Sequence, residues 1–271
     1  MDYINVVSFA ISLVLSYIGV PMILNMLSNN DIVNPNYRGD NIPYTMGLSF
    51  IFIQTITVFL IMLITRQNID YLSLYLIAFV LMGLVGLLDD LIGDKDVKGF
   101  RGHIKAFIKG KLTTGGIKAG VGFVLSLFIS LLVSRNLIDI IMNIFVISLF
   151  TNLINLFDLR PGRSIKLFIM VSIIMLVISL VKDFNFLLYS IYGLLVIYFP
   201  MDLKAKVMMG DVGSNVLGIT LGIYCVYTQG RLVRAIFLLI LIVLHILAER
   251  VSFSKVIERS KVLRFIDNLG R

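Results

Sequence analysis

Nine stretches of this chain lack Asp, Glu, Lys and Arg, and they restrict what it can fold into. A helix needs about 20 apolar residues to cross a bilayer, and flanking Lys or Arg side chains can extend a shorter one. Because the runs are continuously apolar, they predict helices and not barrel strands. The stretches are Tyr3–Asn30, Asn41–Thr65, Tyr71–Leu88, Ala119–Ser134, Ile140–Phe157, Leu167–Val181, Phe184–Met201, Val212–Gly230 and Ala235–Ala248.

Composition places the chain among integral membrane proteins, with 58% hydrophobic and 15% charged residues. We predict one all-α, polytopic domain over residues 1–271 with about nine transmembrane helices. The stretches that start at Ala119, Leu167 and Ala235 have only about 14 to 16 residues, so a re-entrant segment stays an alternative for each. The single cysteine, Cys225, excludes an internal disulfide.

The basic residues predict the orientation of these helices. If the connections alternate between sides, 19 of the 24 Lys and Arg residues fall on one side, which is then cytoplasmic. This places the N-terminus outside and the C-terminus in the cytoplasm. It also accounts for the net charge of +8 without a nucleic-acid partner, and it predicts a plasma-membrane protein whose polar motifs face the cytoplasm.

Two adjacent acids, Asp89 and Asp90, follow directly after the stretch Tyr71–Leu88. A carboxylate pair at a membrane border is costly unless a cation or a substrate uses it. Asp94 and Asp96 follow closely, and like charges at this density repel one another. The pair therefore predicts a functional site, and the alternative is that these acids only mark the end of a helix.

Three further stretches carry polar residues at the same side of the membrane. Asn152, Asn155 and Asp158 recur every third residue, which puts them on one face of a helix; the alternative is a polar contact between helices. Asp211 precedes the stretch Val212–Gly230 and is either a helix N-cap or a metal ligand. The segment Pro43–Gly47 is either part of this site or only a turn.

These residues suggest phosphoryl transfer. Carboxylate oxygens suit Mg²⁺, which binds one or two protein carboxylates together with phosphate oxygens. Basic side chains would hold the phosphates. The acids are Asp89, Asp90, Asp158 and Asp211, and the bases are Lys118, Arg160 and Arg163.

Four motifs in order resemble the polyprenyl-phosphate N-acetylhexosamine-1-phosphate transferases, also grouped as glycosyltransferase family 4. PYTMG is similar to the family's Pro-Thr-x-Gly-Gly loop, GLLDD to its Asp-Asp pair, NLINLFD to its Asn-x-x-Asn-x-x-Asp, and MGDVGS to its Met-Gly-Asp-x-Gly-Ser. The resemblance implies transfer of a sugar-1-phosphate from a UDP-sugar to a membrane polyprenyl phosphate in cell-envelope glycan synthesis. The reaction would release UMP and require Mg²⁺.

The resemblance also implies residue roles. Asp211 would bind Mg²⁺, Asp89 would deprotonate or orient the lipid phosphate, and Asp90 would support the site. Asp158 would be a catalytic residue and a second metal ligand in the nucleotide region, beside Asn155. The substrate-binding residues would be Asn152, Asn155, Lys118, Arg160 and Arg163.

The sequence departs from the family pattern in three places, one of which is a final membrane span that we expect to be missing because the tail after Glu249 is charged. Pro161 stands where the family has a second acid after its Asn motif, and the histidine-rich loop is represented only by His103 and His245, which we interpret as structural or interfacial. A catalytically silent scaffold would tolerate these losses and is one alternative. A transporter is another, although it would place acids near the middle of its helices. A homodimer is an alternative to a monomer.

Two basic amphipathic stretches predict contact with an anionic inner leaflet. Their apolar residues fall at helical spacing between Lys and Arg, and the second stretch lies in a cytoplasmic tail that begins at about residue 250. The alternative for each is a solvated, charged helix face. The apolar positions are Phe100, Ile104, Phe107 and Ile108 in the first stretch, and Val262, Phe265, Ile266 and Leu269 in the second.

Overall fold

The computed structural model describes residues 2–93 and 99–270 and is almost entirely helical. Asp94 and Asp96, and the side chains of Phe100, His103 and Ile104, lie outside the described residues. The elements are α1 (Asp2–Asn29), β1 (Val33–Pro35), β2 (Asn41–Pro43), α2 (Leu48–Thr65), α3 (Ile69–Ile92), α4 (Gly99–Ile108), α5 (Thr114–Val133), α6 (Leu137–Phe157), α7 (Arg163–Ile178), α8 (Phe186–Leu203), α9 (Gly210–Thr228), α10 (Arg231–Arg250), α11 (Phe253–Arg259) and α12 (Lys261–Asn268).

The predicted all-α, polytopic membrane architecture is confirmed. Each of the nine apolar stretches corresponds to one long helix, and in the described part of the chain seven helices are long and apolar enough to cross a membrane. The other two are α7, which has 16 residues, and α9, which has 19 residues but is less apolar. A two-stranded antiparallel hairpin of β1 and β2, with Val33 paired to Pro43, precedes α2 and was not predicted.

Helix α9 lies at the centre of the bundle. Every residue from Val212 to Val226 is buried, and the helix packs mainly between α6 and α3. Gly218 and Gly222 make this packing close, because a Cβ at either position would overlap the backbone of α6. In contrast, α10 buries only Leu241 and lies at the periphery.

A buried polar network fixes α9 against three other helices. The side-chain amide of Gln54 on α2 donates to Tyr75 Oη at 3.1 Å and to the carbonyl of Leu187 on α8 at 3.2 Å. Tyr75 on α3 in turn shares a 3.1 Å hydrogen bond with Thr220 on α9. Hydrogen bonds between buried side chains hold membrane helices in register, so the middle of α9 is fixed against α3 and, through Tyr75 and Gln54, against α2 and α8.

Candidate active site

The first turn of α9 is capped by a carboxylate from another helix. Asp90, near the end of α3, accepts hydrogen bonds from the backbone amides of Asp211 at 2.9 Å and Val212 at 3.4 Å. A carboxylate is stabilised there because the first amides of a helix lack partners and its N-terminus is partially positive. Gly210 has a φ of +67°, and a Cβ at this position would overlap the Asp90 carboxylate. Asp90 therefore sets the position of Asp211.

Lys118 joins four helices at this end of the bundle, which we call the acid-rich end. Its ammonium on α5 donates to Asp89 Oδ2 on α3 at 3.2 Å and to Asp211 Oδ2 on α9. With the amide of Asn155 oriented to match its neighbours, its oxygen accepts from Lys118 at 3.0 Å and its nitrogen donates to Asp211 Oδ1 at 3.0 Å. The three donors of the ammonium thus meet three acceptors.

Asp158 lies in the turn between α6 and α7, among other acids. Its Oδ1 accepts from Ser164 Oγ at 2.8 Å. Burial raises the pKa of Asp158 well above its usual range, and the negative charge of Asp202 raises it further, as do those of Asp211 and Asp90; the hydrogen bond from Ser164 opposes this rise. Because the acids disfavour one another's ionisation, this group is suited to receive a cation.

A cavity of about 240 Å³ opens beside these acids. The acids on its wall are Asp90, Asp158, Asp202 and Asp211. The turn after α6 adds Arg160, and the β1–β2 hairpin adds Tyr37, whose ring lies 5.3 Å from Arg160 Cζ. The cavity thus combines excess carboxylates at its base with a guanidinium and an aromatic ring, which suits a phosphate-bearing ligand that carries a base or a sugar.

The predicted loop Pro43–Gly47 is joined to the start of α9 through the backbone. Gly47 N donates to the carbonyl of Met209 at 2.9 Å, and Met208 N donates to the carbonyl of Pro43 at 2.9 Å. A Cβ at Gly47 would overlap the backbone of Gly213, so glycine is required for this approach. Two of the four sequence motifs are thereby linked directly.

The structure brings together seven of the nine predicted site residues and not the other two. Asn152 is exposed and does not line the cavity, although it belongs to the same motif as Asn155 and Asp158. Arg163 is buried, forms a bidentate ion pair with Asp267 and is not among the residues that line the cavity. The seven that lie at the Lys118 cluster or on the cavity wall are Asp89, Asp90, Lys118, Asn155, Asp158, Arg160 and Asp211.

Sequence reasoning did not single out Asp202 and Tyr37. Asp202 is buried and accepts from Gly162 N at 2.6 Å, which fixes the turn that carries Asp158. The sequence did contain a signal for Asp202, because this acid directly follows the apolar stretch Phe184–Met201 just as Asp89 directly follows Tyr71–Leu88. Tyr37 carried no signal, because a tyrosine in a polar loop is unremarkable before the hairpin is known.

The donor set fits an oxygen-preferring divalent cation only with help from a ligand. Among the described residues, no three His, Cys, Asp or Glu side chains are grouped closely enough to hold a metal ion. Asp158 and Asp211 do line the same cavity. Mg²⁺ commonly uses one or two carboxylates and completes its coordination with water and phosphate oxygens, so this pair matches its requirements.

His245 lies within α10, as predicted, with its Nδ1 at 2.8 Å from the carbonyl of Leu241 one turn earlier. It is not part of the cavity wall. Among the residues described, no histidine side chain therefore lines the cavity that holds the acids.

Comparisons with known proteins identify the family of this chain. Residues 72–229, more than half of the chain, match the model of glycosyl transferase family 4. A phospho-N-acetylmuramoyl-pentapeptide-transferase of Streptococcus pneumoniae (strain Taiwan19F-14) is 27% identical over 237 residues, which cover 80% of this chain and 71% of that protein. The enzyme of the same name from Prochlorococcus marinus (strain MIT 9215) is 29% identical over 247 residues, 79% of this chain and 64% of that protein. The chain therefore belongs to glycosyl transferase family 4.

Proposed function

We propose that this protein transfers a sugar-1-phosphate from a UDP-sugar to a polyprenyl phosphate. The sugar that we propose is an N-acetylhexosamine. The products are a diphosphate-linked lipid and UMP. The observation that carries the proposal is the cluster in which Lys118 binds Asp89, Asn155 and Asp211. Three of the four family motifs meet at this one ammonium, beside a cavity of about 240 Å³.

We assign each residue a role from its position in the site. Asp211 and Asp158 would hold Mg²⁺, which would supply positive charge to neutralise the donor diphosphate. Arg160 binds phosphate oxygens, the positive charge of Lys118 attracts them while its ammonium holds Asp89, Asn155 and Asp211, and Asp90 holds the first turn of α9 in place. Asp89, at the membrane end of α3, accepts the proton of the lipid phosphate or orients it for attack. In such a reaction, positioning and charge stabilisation supply most of the rate enhancement.

The proposed site faces the cytoplasm of a protein with nine spans. Two helices, α7 and α9, fall short of a free-standing span; counted as spans they bring the number to nine, and the connections then alternate between the two sides. The acid-rich side then carries 19 of the 24 basic residues, in agreement with the positive-inside rule. Accessible tags at the two termini should report opposite sides of the membrane, and tags on the same side would contradict nine spans.

The basic tail is proposed to lie on the anionic inner leaflet. Val262 and Phe265 on α12 are 67% and 68% exposed, and Lys261 and Arg264 lie beside them. Phe107 and Ile108 at the end of α4 are also exposed. Apolar side chains flanked by basic ones favour the boundary between headgroups and acyl chains.

The test is release of UMP from a panel of UDP-N-acetylhexosamines by purified protein with undecaprenyl phosphate and Mg²⁺. Asp89→Asn and Asp211→Asn should each abolish release. Asp70→Asn is the matched control, since Asp70 is exposed at the other end of α3. Folded protein that releases no UMP from any donor, with or without Mg²⁺, would contradict the proposal and favour a silent scaffold.

A further inference from the structure

The C-terminal tail, α11 and α12, is fastened to the start of α7 by a buried ion pair. Arg163 Nε donates to Asp267 Oδ1 at 2.8 Å, and Arg163 Nη2 donates to Asp267 Oδ2 at 2.9 Å. The remaining terminal nitrogen, Nη1, donates to Ser254 Oγ on α11 at 2.9 Å. A planar guanidinium matched by a carboxylate in this way is the strongest and most directional ion pair that side chains form.

Two further contacts hold the same tail. Lys166 Nζ donates to the carbonyls of Ile266 at 3.0 Å and Asp267 at 2.7 Å, in the last turn of α12. These carbonyls lie at the negative end of the helix dipole, where a cation is favoured. Phe253 of α11 also stacks on Phe157 at the end of α6, with ring centroids 4.7 Å apart. The tail therefore contacts the helices on both sides of the α6–α7 turn.

Arg163 lies in the chain between two residues, Gly162 and Ser164, whose hydrogen bonds hold acids of the cavity wall. Directly before it, Gly162 N donates to Asp202 Oδ2 at 2.6 Å, and directly after it, Ser164 Oγ donates to Asp158 Oδ1 at 2.8 Å. The α6–α7 turn (residues 158–162), which carries Asp158 and Arg160, is thus fixed by α8 on one side and by the tail, through Arg163, on the other.

We propose that Asp267 is a positioning residue of the active site, which acts through Arg163 on the α6–α7 turn. The inference rests on the proposed function for its catalytic consequence. If Asp267 loses its charge, Arg163 is left as a buried cation without a full partner, a costly state. The guanidinium then moves toward water and carries the start of α7 with it. Asp158 is displaced from its place beside Ser164, although Asp267 itself contacts no substrate.

The experiment pairs Asp267→Asn with Glu258→Gln. Both substitutions remove one negative charge from the tail, but Glu258 is exposed on α11. We expect Asp267→Asn to lower kcat for sugar-phosphate transfer by roughly 10- to 100-fold, because displacement of a reacting group by about 1 Å costs this much. The KM for the polyprenyl phosphate should stay near its original value, and Glu258→Gln should behave as the unmodified protein. Ser254→Ala, which removes only the third contact of Arg163, should act in the same direction and more weakly.

A second readout does not depend on catalysis. Leu159 lies in the α6–α7 turn and is 61% exposed, and the native Cys225 is buried. A Leu159→Cys variant therefore offers one accessible thiol in this turn. Its rate of maleimide labelling should change several-fold when combined with Asp267→Asn or Ser254→Ala and should not change with Glu258→Gln.

The outcomes separate the two proposals. Loss of turnover together with altered labelling supports Asp267 as a positioning residue. Altered labelling with normal kcat shows that the tail only packs against the turn, and loss of kcat with unaltered labelling excludes the route through Arg163; either result overturns the inference. If no donor is turned over before any substitution, the proposed function fails, while unaltered labelling alone would still reject the positioning of the turn.

Discussion

The two ends of the bundle each carry a polar cluster, and their charge balance differs. At the end opposite the acids, Asp139 at the start of α6 lies 3.3 Å from Arg231 and 3.5 Å from Arg234. Arg234 also donates to Asn143 on α6 at 2.5 Å. Asp139 thus has its cations beside it, and the surplus positive charge lies on Arg231, whose side chain is 53% exposed to water, so the buried part of this cluster is matched within itself.

The acid-rich end has the reverse balance. Lys118 is the cation that bonds to both Asp89 and Asp211, while Asp90, Asp158 and Asp202 add further carboxylates around the cavity. A cluster whose own charges are matched stabilises the fold, whereas one with excess charge is completed by a ligand. The comparison therefore indicates which polar cluster is structural and which one binds, and it can be tested by equivalent changes at both ends.

The largest effect is expected from removal of the central cation at each end. Lys118→Met should reduce UMP release by about 10²- to 10³-fold, because it removes a preorganised positive charge from the site of phosphate chemistry. Arg234→Met should leave turnover within roughly twofold, since Arg231 still faces Asp139. Equal loss of activity in both variants, with both still folded in detergent, would contradict the distinction between a structural cluster and a binding cluster.

A glycine at each end gives the next test. Gly210→Ala must place a side chain at a φ of +67° and against the Asp90 carboxylate. We expect loss of about 1–3 kcal/mol of stability and a large fall in turnover, as Asp211 shifts. Gly230→Ala, where a Cβ would meet only the flexible end of Leu180 at 3.0 Å, should change both quantities little. Melting temperature and turnover are measured for both variants.

Neutralising one carboxylate at each end is expected to change the free energy of unfolding in opposite directions. Asp158→Asn should reduce UMP release by about 10²-fold yet raise the free energy of unfolding by about 1 kcal/mol, because excess charge favours function over stability. Asp139→Asn should lower the free energy of unfolding by about 1 kcal/mol and leave turnover intact. Thermal unfolding without substrates or Mg²⁺ reports both values, and destabilisation by Asp158→Asn would refute the idea of excess charge.

Because the pKa of Asp158 is raised, its folded form holds the proton more tightly than its unfolded form. Its contribution to stability is therefore greatest at low pH and is lost as pH rises toward the raised pKa. Asp158→Asn should remove this part of the pH dependence of unfolding, whereas Asp139→Asn should leave it in place.

The smallest effect separates two asparagines of one motif. Asn155→Ala removes the side chain that bridges Lys118 and Asp211, so turnover should fall by about 10- to 100-fold. Asn152→Ala alters an exposed side chain and should change turnover by less than about twofold. Equal losses would show that Asn152 also contacts a substrate and would extend the binding site beyond the cavity.

Most of the fold follows from the sequence, because long charge-free stretches in a membrane protein have only the helix available to them. What the stretches did not distinguish is position within the bundle. Val212–Gly230 became the buried centre and Ala235–Ala248 a peripheral helix, although the second is the more apolar. Lipid and protein interior are similarly apolar, so hydropathy alone does not separate them.

Sequence reasoning found most of the acids that gather at the cavity and the Lys118 cluster, and it was less accurate for the bases. The acids stand at the ends of apolar stretches, where their cost makes them visible. Arg160 and Arg163 are three residues apart and would share a face if the α6 helix continued, but the chain turns at Pro161 and Gly162, and Gly162 has a φ of +72°. The turn sends Arg160 to the cavity and Arg163 to the tail, a difference that spacing did not predict.

The central position of α9 has a consequence for biogenesis. This helix is long enough to span the bilayer but less apolar than the seven candidate spans, and its sides face protein. Transfer from the translocon into lipid alone would therefore gain little free energy, and α9 depends on α3 and α6, which are synthesised before it. Changes at Gly218 or Gly222, far from the chemistry, should then appear as failed membrane insertion and lower yield, and not as slower turnover of the protein that matures.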